Sequence, residues 1–135
     1  MGEAIESRAE GAVAGRVAGL AARVDGDATL RRRGRVLNAT CQLSVGGEHF
    51  LLRIADGRVI ETRAGPFVTP SADFAIVADA AIWHRLLAPE PPPGDHDILA
   101  FVKRGELRLV GDLHPFMSHL LYWKVLLAHL RETAR

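Results

Sequence analysis

The spacing of apolar positions changes twice along the chain and divides it into helical, pleated and mixed stretches. From about residue 3 to 24, Ile5, Ala9, Val13, Val17, Leu20 and Val24 recur at intervals of four and three, the stripe of one amphipathic helix. Gly11, Gly15 and Gly19 recur on it every fourth position, each costing about 1 kcal/mol relative to alanine in a helix interior. Such a helix needs tertiary contact, either a close neighbour at its glycines or a pocket over which it lies as a flap. Arg31-Arg32-Arg33, with Arg35, then reads as a solvated loop, with a weak site for anionic head groups as the sharper alternative.

From Arg35 the period becomes two. Leu37, Ala39, Cys41, Leu43 and Val45 alternate with Asn38, Thr40, Gln42 and Ser44, as a half-buried strand requires. Gly46-Gly47 supplies a tight hairpin, Phe50, Leu52 and Ile54 share one face of the next strand, and Asp56-Gly57 turns the chain into a third, Arg58 to Arg63. The irregular stretch Gly65 to Ser71, with Pro66 and Pro70, ends this antiparallel meander, and Phe74, Ile76 and Ala78 mark a fourth strand. One apolar and one polar sheet face predict helices on one side only, a two-layer α+β domain with a five-stranded, mainly antiparallel sheet.

The remaining elements are short. Asp79 is placed to cap a helix carrying Ile82, Trp83, Leu86 and Leu87, which the Pro89 to Pro93 stretch stops. Asp95 or Asp97 begins another through Ile98, Phe101 and Val102, and Gly105 suits the left-handed residue after its end. Leu107 and Leu109 mark a fifth strand, and a last helix runs from about Leu113 to the C-terminus. On a helical wheel that helix sets Phe116, Leu120, Trp123, Leu127 and Leu130 beside Leu113, Met117, Leu121 and Ala128, with His114, Ser118, Tyr122 and His129 opposite. An apolar arc near half the circumference is wider than a core stripe. It calls either for cover by the first helix or a second subunit, or for an apolar ligand in a cavity. Lys124 falls near the middle of the arc, where an ammonium must reach water, pair with an acid, or meet the polar head of an amphipathic ligand.

Composition narrows the function classes. A chain of 135 residues fits one domain, 1–135, with an N-terminal helix and loop over 1–30. Its 17 basic and 16 acidic residues leave a net charge of +1, which argues against nucleic acid as a partner. A single cysteine, Cys41, and an N-terminus without the order of a secretory signal point to a cytoplasmic protein, and no apolar run is long enough to span a bilayer. The six histidines include no pair at the spacing that sets two metal ligands on one helical face, and Cys41 falls on an inward strand face. Neither a nucleophile elbow nor a phosphate loop occurs. Asp95, Asp97 and Asp112 are explained as caps and turns. The expectation is no catalytic residue, no metal and no cofactor.

Over residues 35–131 a family resemblance accompanies these readings. The run from Ser71 through Asp73-Phe74-Ala75-Ile76-Val77-Ala78-Asp79 to Trp83, and the run Ala100-Phe101-Val102-Lys103-Arg104-Gly105-Glu106-Leu107-Arg108-Leu109-Val110-Gly111-Asp112, resemble the sterol carrier protein 2 family in order and spacing. The resemblance implies a five-stranded sheet with helices over one face and an apolar tunnel between the layers, holding a sterol, fatty acid, acyl chain or isoprenoid. The tunnel wall it implies comprises Leu43, Phe50, Leu52, Ile54, Phe74, Ile76, Leu107 and Leu109 on the sheet, facing Trp83, Phe101, Phe116, Leu120, Trp123 and Leu127. Non-catalytic binding or transfer of a lipid-like molecule is the function implied. The alternative is an interaction or dimerisation module, or an accessory factor as in quinone biosynthesis. A homodimer, an enzyme partner and transient membrane contact therefore stand as partners beside the lipid.

Overall fold

The computed structural model describes residues 13–66, 72–95 and 97–131. The described residues begin with helical residues 13–18 (α1), then Leu20–Asp25 (α2) and Ala28–Arg33 (α3). Strands Asn38–Val45 (β1), Glu48–Ala55 (β2) and Arg58–Ala64 (β3) follow, then Phe74–Ala78 (β4), helices Ala80–Leu86 (α4) and Ile98–Lys103 (α5), strand Arg108–Gly111 (β5), and helices His114–Ser118 (α6) and Leu120–Ala128 (α7).

The sheet has five strands in the order β3-β2-β1-β4-β5. Consecutive hairpins make β1 to β3 antiparallel; β4 then lies beside β1 on the far side of the meander and runs parallel to it, pairing Cys41 with Phe74 and Leu43 with Ile76. The sheet is thus mostly antiparallel with one parallel pair, as β5 is again antiparallel to β4. Both hairpins use the backbone their residues favour: Gly46 has φ 61°, while Asp56 and Gly57 have φ 51° and 78°. At Gly57 a side chain has no room, because a Cβ would lie 2.7 Å from the carbonyl carbon of Gly34.

The predicted inner face is buried along its length: Ala39, Cys41, Leu43 and Val45 on β1, Phe50, Leu52 and Ile54 on β2, Phe74, Ile76 and Ala78 on β4. Val13, Val17, Leu20 and Val24 are buried as the N-terminal stripe requires; its earlier members, Ile5 and Ala9, lie outside the described residues.

Three local expectations are corrected. The N-terminal helix is interrupted at Gly19, whose backbone (φ −93°, ψ 1°) leaves the α-helical geometry. Arg31-Arg32-Arg33 is the last turn of a helix, not a loop, because the Asp27 side chain accepts a 3.0 Å bond from the Leu30 N–H and caps α3; three arginines there also complement the helix dipole. The last helix is broken at His119 (φ −128°, ψ 40°). The break turns Tyr122, expected on the polar side, into the core, where its hydroxyl donates a 2.7 Å bond to Gly57 O.

Candidate functional site

The residues expected to wall a tunnel meet between the layers in one packed apolar cluster. Phe50, Leu52, Ile54, Phe74, Ile76, Trp83, Phe101, Phe116, Trp123 and Leu127 are all buried, as are Leu43 and Leu107; Leu109 and Leu120 pack against them half-buried. Phe74 stands at the centre of an aromatic group, with its ring centroid 5.5 Å from Phe116 and 5.0 Å from Trp123 in edge-to-face geometry. Two indole N–H groups are satisfied within the protein, Trp83 by Ser44 O at 2.8 Å and Trp123 by Pro115 O at 3.1 Å. The first bond fastens α4 to β1 across the core, so Trp83 is as much a tie between layers as a wall. Leu126, which the wheel did not single out, is also fully buried.

Openings lie at the margins of this core. Where α4, α5 and α7 meet, Leu86, Leu87, Ile98 and Leu127 floor a cleft of about 20 Å³ with Lys124 and Arg131 at its rim. That is room for about one water molecule. A second groove of about 200 Å³ lies at the α6–α7 break between Arg33, Ser118, His119, Leu120, Leu121 and Tyr122. A third, of about 100 Å³, separates Ala14, Val17 and Ala18 from Phe50 and the end of β3. A shallow depression of about 270 Å³ over the outer sheet face includes Thr40, Arg53, Ile60 and Asp73.

Lys124 is half-buried and paired. Its Nζ donates to Asp97 Oδ2 at 3.1 Å, while Asp97 Oδ1 accepts the Leu99 N–H at 3.0 Å and caps α5. One carboxylate therefore divides its two oxygens between a structural duty and the ammonium over the cleft. Of the other acids, Asp112 accepts the His114 N–H at 3.1 Å, as a turn residue should. Asp95 is not a cap: it is buried and receives both Arg85 and Arg104, at 3.1 and 3.0 Å. Those arginines also bond Glu106 and lie over the Phe101 ring at 5.3 and 4.6 Å. Hydrogen bonds from Arg104 first and Arg85 second hold the Glu106 carboxyl below its ordinary range. The aspartate's role escaped sequence reasoning because its partners lie ten residues before and nine after it, a separation that no helical or strand period marks.

Burial, with a smaller push from Asp73, raises the Cys41 thiol far above its ordinary range and keeps it protonated. His49 shares a 3.0 Å hydrogen bond with the buried Ser44 on the outer sheet face, and His129 meets Asp27 at 2.8 Å. His96 lies outside the described residues. Among the described residues no group of three histidine, cysteine or acidic side chains is placed to hold a metal ion, and no helix is long and apolar enough to cross a membrane.

No family model matches the chain, and no curated protein does. Solved structures do. Sterol carrier protein 2 is similar over 89% of this chain and 96% of its own, with 21% identity and a TM-score of 0.72. A conserved hypothetical protein from Thermus thermophilus, described as possibly a sterol carrier protein, gives 18% identity and a TM-score of 0.66 over 90% of both chains. A UbiJ-SCP2 ubiquinone synthesis protein gives 17% identity and a TM-score of 0.52 over 85% of this chain and 95% of its own. With its strand order already in view, the chain has the sterol carrier protein 2 fold.

Proposed function

We propose that the chain binds or transfers, without bond chemistry, a lipid-like apolar molecule such as a fatty acid, acyl chain, sterol or isoprenoid, which enters between sheet and helices where α4, α5 and α7 meet. The observation that carries this reading is the cleft itself: an apolar floor of Leu86, Leu87, Ile98 and Leu127 beneath the Lys124 ammonium. Leu127 joins this floor to the buried aromatic group behind it. Sites for small organic ligands usually enclose about 300–1,000 Å³, so a cleft of about 20 Å³ holds a ligand only if its walls part. The apolar surface that parting uncovers is re-covered by the ligand's own. At about 25 cal/mol per Å², roughly 200 Å² of ligand surface contributes about 5 kcal/mol before the cost of association. A carboxylate head can take the place of Asp97 Oδ2 at Lys124 while Asp97 Oδ1 continues to cap α5.

Displacement of a fluorescent fatty acid tests the reading. The wild-type chain should bind the probe, and Lys124→Met should weaken fatty acid about tenfold while leaving a fatty alcohol of equal length unchanged, the loss expected for one charge-assisted hydrogen bond. Leu127→Arg should weaken both ligands. Unchanged fatty-acid affinity in Lys124→Met removes Lys124 from the site, and a wild-type chain that binds neither ligand sinks the proposal.

A second reading, an accessory module that dimerises or docks onto an enzyme, is favoured by the fold shared with the UbiJ-SCP2 ubiquinone synthesis protein. It calls for a stable, lipid-free dimer or complex.

A further inference from the structure

The groove at the α6–α7 break differs in chemistry from the cleft under Lys124. Its walls are Arg33 on one side and Leu120, Leu121 and Tyr122 on the other. Arg33 ends a run of three arginines in the last turn of α3, and Arg35 follows one residue beyond Gly34. Among the described residues Arg32, Arg33 and Arg35 form no ion pair and are exposed. Acids do occur near this end, but they leave the excess positive: Asp25 is taken by Arg58 at 3.4 Å, and Asp56 is a single acid in the β2–β3 turn.

Apolar side chains accompany these charges instead of acids. Leu121 on the groove wall is 51% exposed, Met117, in α6 before the break, is 52% exposed, and Val36 beside Arg35 is 71% exposed. The backbone beneath them is closely packed. Gly34 packs so closely on Tyr122 that a Cβ there would lie 2.5 Å from the ring, and the Tyr122 hydroxyl bonds Gly57 O at 2.7 Å. The arginines and the exposed leucine and methionine are thus presented on a fixed base rather than on a free tail.

We infer that this end of the molecule, formed by Arg32, Arg33, Arg35 and the exposed Met117 and Leu121, docks onto an anionic phospholipid bilayer. The match is one of charge and depth. Guanidinium groups seek lipid phosphates, and each basic residue near an anionic surface strengthens binding roughly fivefold; the apolar side chains between them reach the headgroup and acyl boundary. The patch has too few apolar residues to hold the protein on an uncharged bilayer, so lipid charge should decide binding. The inference stands on charge and exposure at this face and does not require a ligand in the cleft.

Vesicle flotation decides it. The full chain should float with vesicles of phosphatidylcholine and phosphatidylglycerol at about 7:3, and remain below with phosphatidylcholine alone. Partition should fall as salt is raised. Arg32→Ala/Arg33→Ala should reduce partition roughly 25-fold, the product of two such losses, and Met117→Ser/Leu121→Ser should reduce it further at high salt. Circular dichroism and the displacement assay with fluorescent fatty acid should leave both variants unchanged, which separates this face from the cleft. Equal flotation on neutral and anionic vesicles, no flotation on either, or an Arg32→Ala/Arg33→Ala variant that floats like the wild type overturns the inference. So does a concentration-dependent dimer abolished by Met117→Ser/Leu121→Ser, which would assign the face to a second copy of the chain.

Discussion

Two groups of arginines occupy opposite roles in one small fold. Arg85 and Arg104 close on Asp95 and Glu106 and lie over Phe101, so that every charge has a partner and one of them, Asp95, is buried. Arg32, Arg33 and Arg35 close on nothing among the described residues and are exposed beside exposed apolar groups. The closed group ties the proline-rich turn to both helices it joins: Arg104 also donates to Gly94 O at 2.8 Å, and Arg85 belongs to α4. Since α4 supplies Leu86 and α5 supplies Ile98 to the cleft, the closed arginines set the spacing of two cleft walls. The difference teaches that these two arginine groups divide between structure and surface: acids answer the first and it closes, while none among the described residues answers the second and it faces outward.

Three changes break or sharpen that contrast, in order of expected size. Asp95→Ala removes the acceptor that two guanidinium groups share, and should lower stability by about 2 kcal/mol in urea denaturation; the arginines are themselves partly exposed and regain water, which keeps the loss below that of a fully buried pair. Cleft binding of fatty acid should weaken with it, as α4 and α5 loosen. An unchanged urea midpoint would make the closed group ornamental.

Acid should act through the same group and through Asp27. Glu106 is held below its ordinary value of 4.5 by Arg104 and Arg85, and Asp27 below 3.8 by the Leu30 N–H and His129. A carboxylate with a depressed folded pKa stabilises above its unfolded value, and that contribution is lost as pH falls through the folded one. The urea midpoint should therefore hold steady from neutral pH to about 5 and fall below the range of 4.5 to 3.8. Glu106→Gln and Asp27→Asn should each start lower and show a shallower acid decline. A midpoint that rises on acidification through this window would contradict both assignments.

The smallest expected change is the most diagnostic of the contrast. Arg32→Ala/Arg33→Ala should shift stability by no more than about 0.5 kcal/mol in the same denaturation experiment, since exposed and unpaired side chains carry little folding energy. A loss comparable to that of Asp95→Ala would show that the second group is structural after all.

How much of this was legible in the sequence follows from how local each signal is. Strands declared themselves because alternation such as Leu37 to Val45 and the turn residues Gly46 and Asp56-Gly57 are read over a few positions, and the backbone adopts what they favour. The parallel pairing of β4 with β1 was beyond reach, since both hairpin and crossover place an alternating strand beside β1. The breaks at Gly19 and His119 hang on one residue's backbone each, and a wheel that assumes continuity carried Tyr122 to the wrong side. The short helix ending in Arg31 to Arg33 was concealed by its six-residue length.

The packing around the candidate cleft was legible only in part. Period two and the resemblance brought Phe50, Leu52, Ile54, Phe74 and Ile76 to face Trp83, Phe101, Phe116 and Trp123, yet the same pattern describes a packed core and a ligand chamber alike, and here those side chains touch. Lys124 was picked out by its apolar flanks; its partner Asp97, 27 residues away, was seen only as a helix cap. Leu86, Leu87 and Ile98 were read as helix residues and not as cleft floor, because the floor exists only where three helices converge.

The central claim is that the packed layers part to admit an apolar molecule, and native mass spectrometry of the freshly purified chain, followed by organic extraction, tests it most directly. A carrier should appear as a monomer bearing an added lipid mass that extraction releases, and the emptied chain should regain that mass when fatty acid is supplied. A chain that carries no lipid when isolated and takes up none when fatty acid is supplied would contradict the claim, leaving a protein that shares the fold without its use as a container.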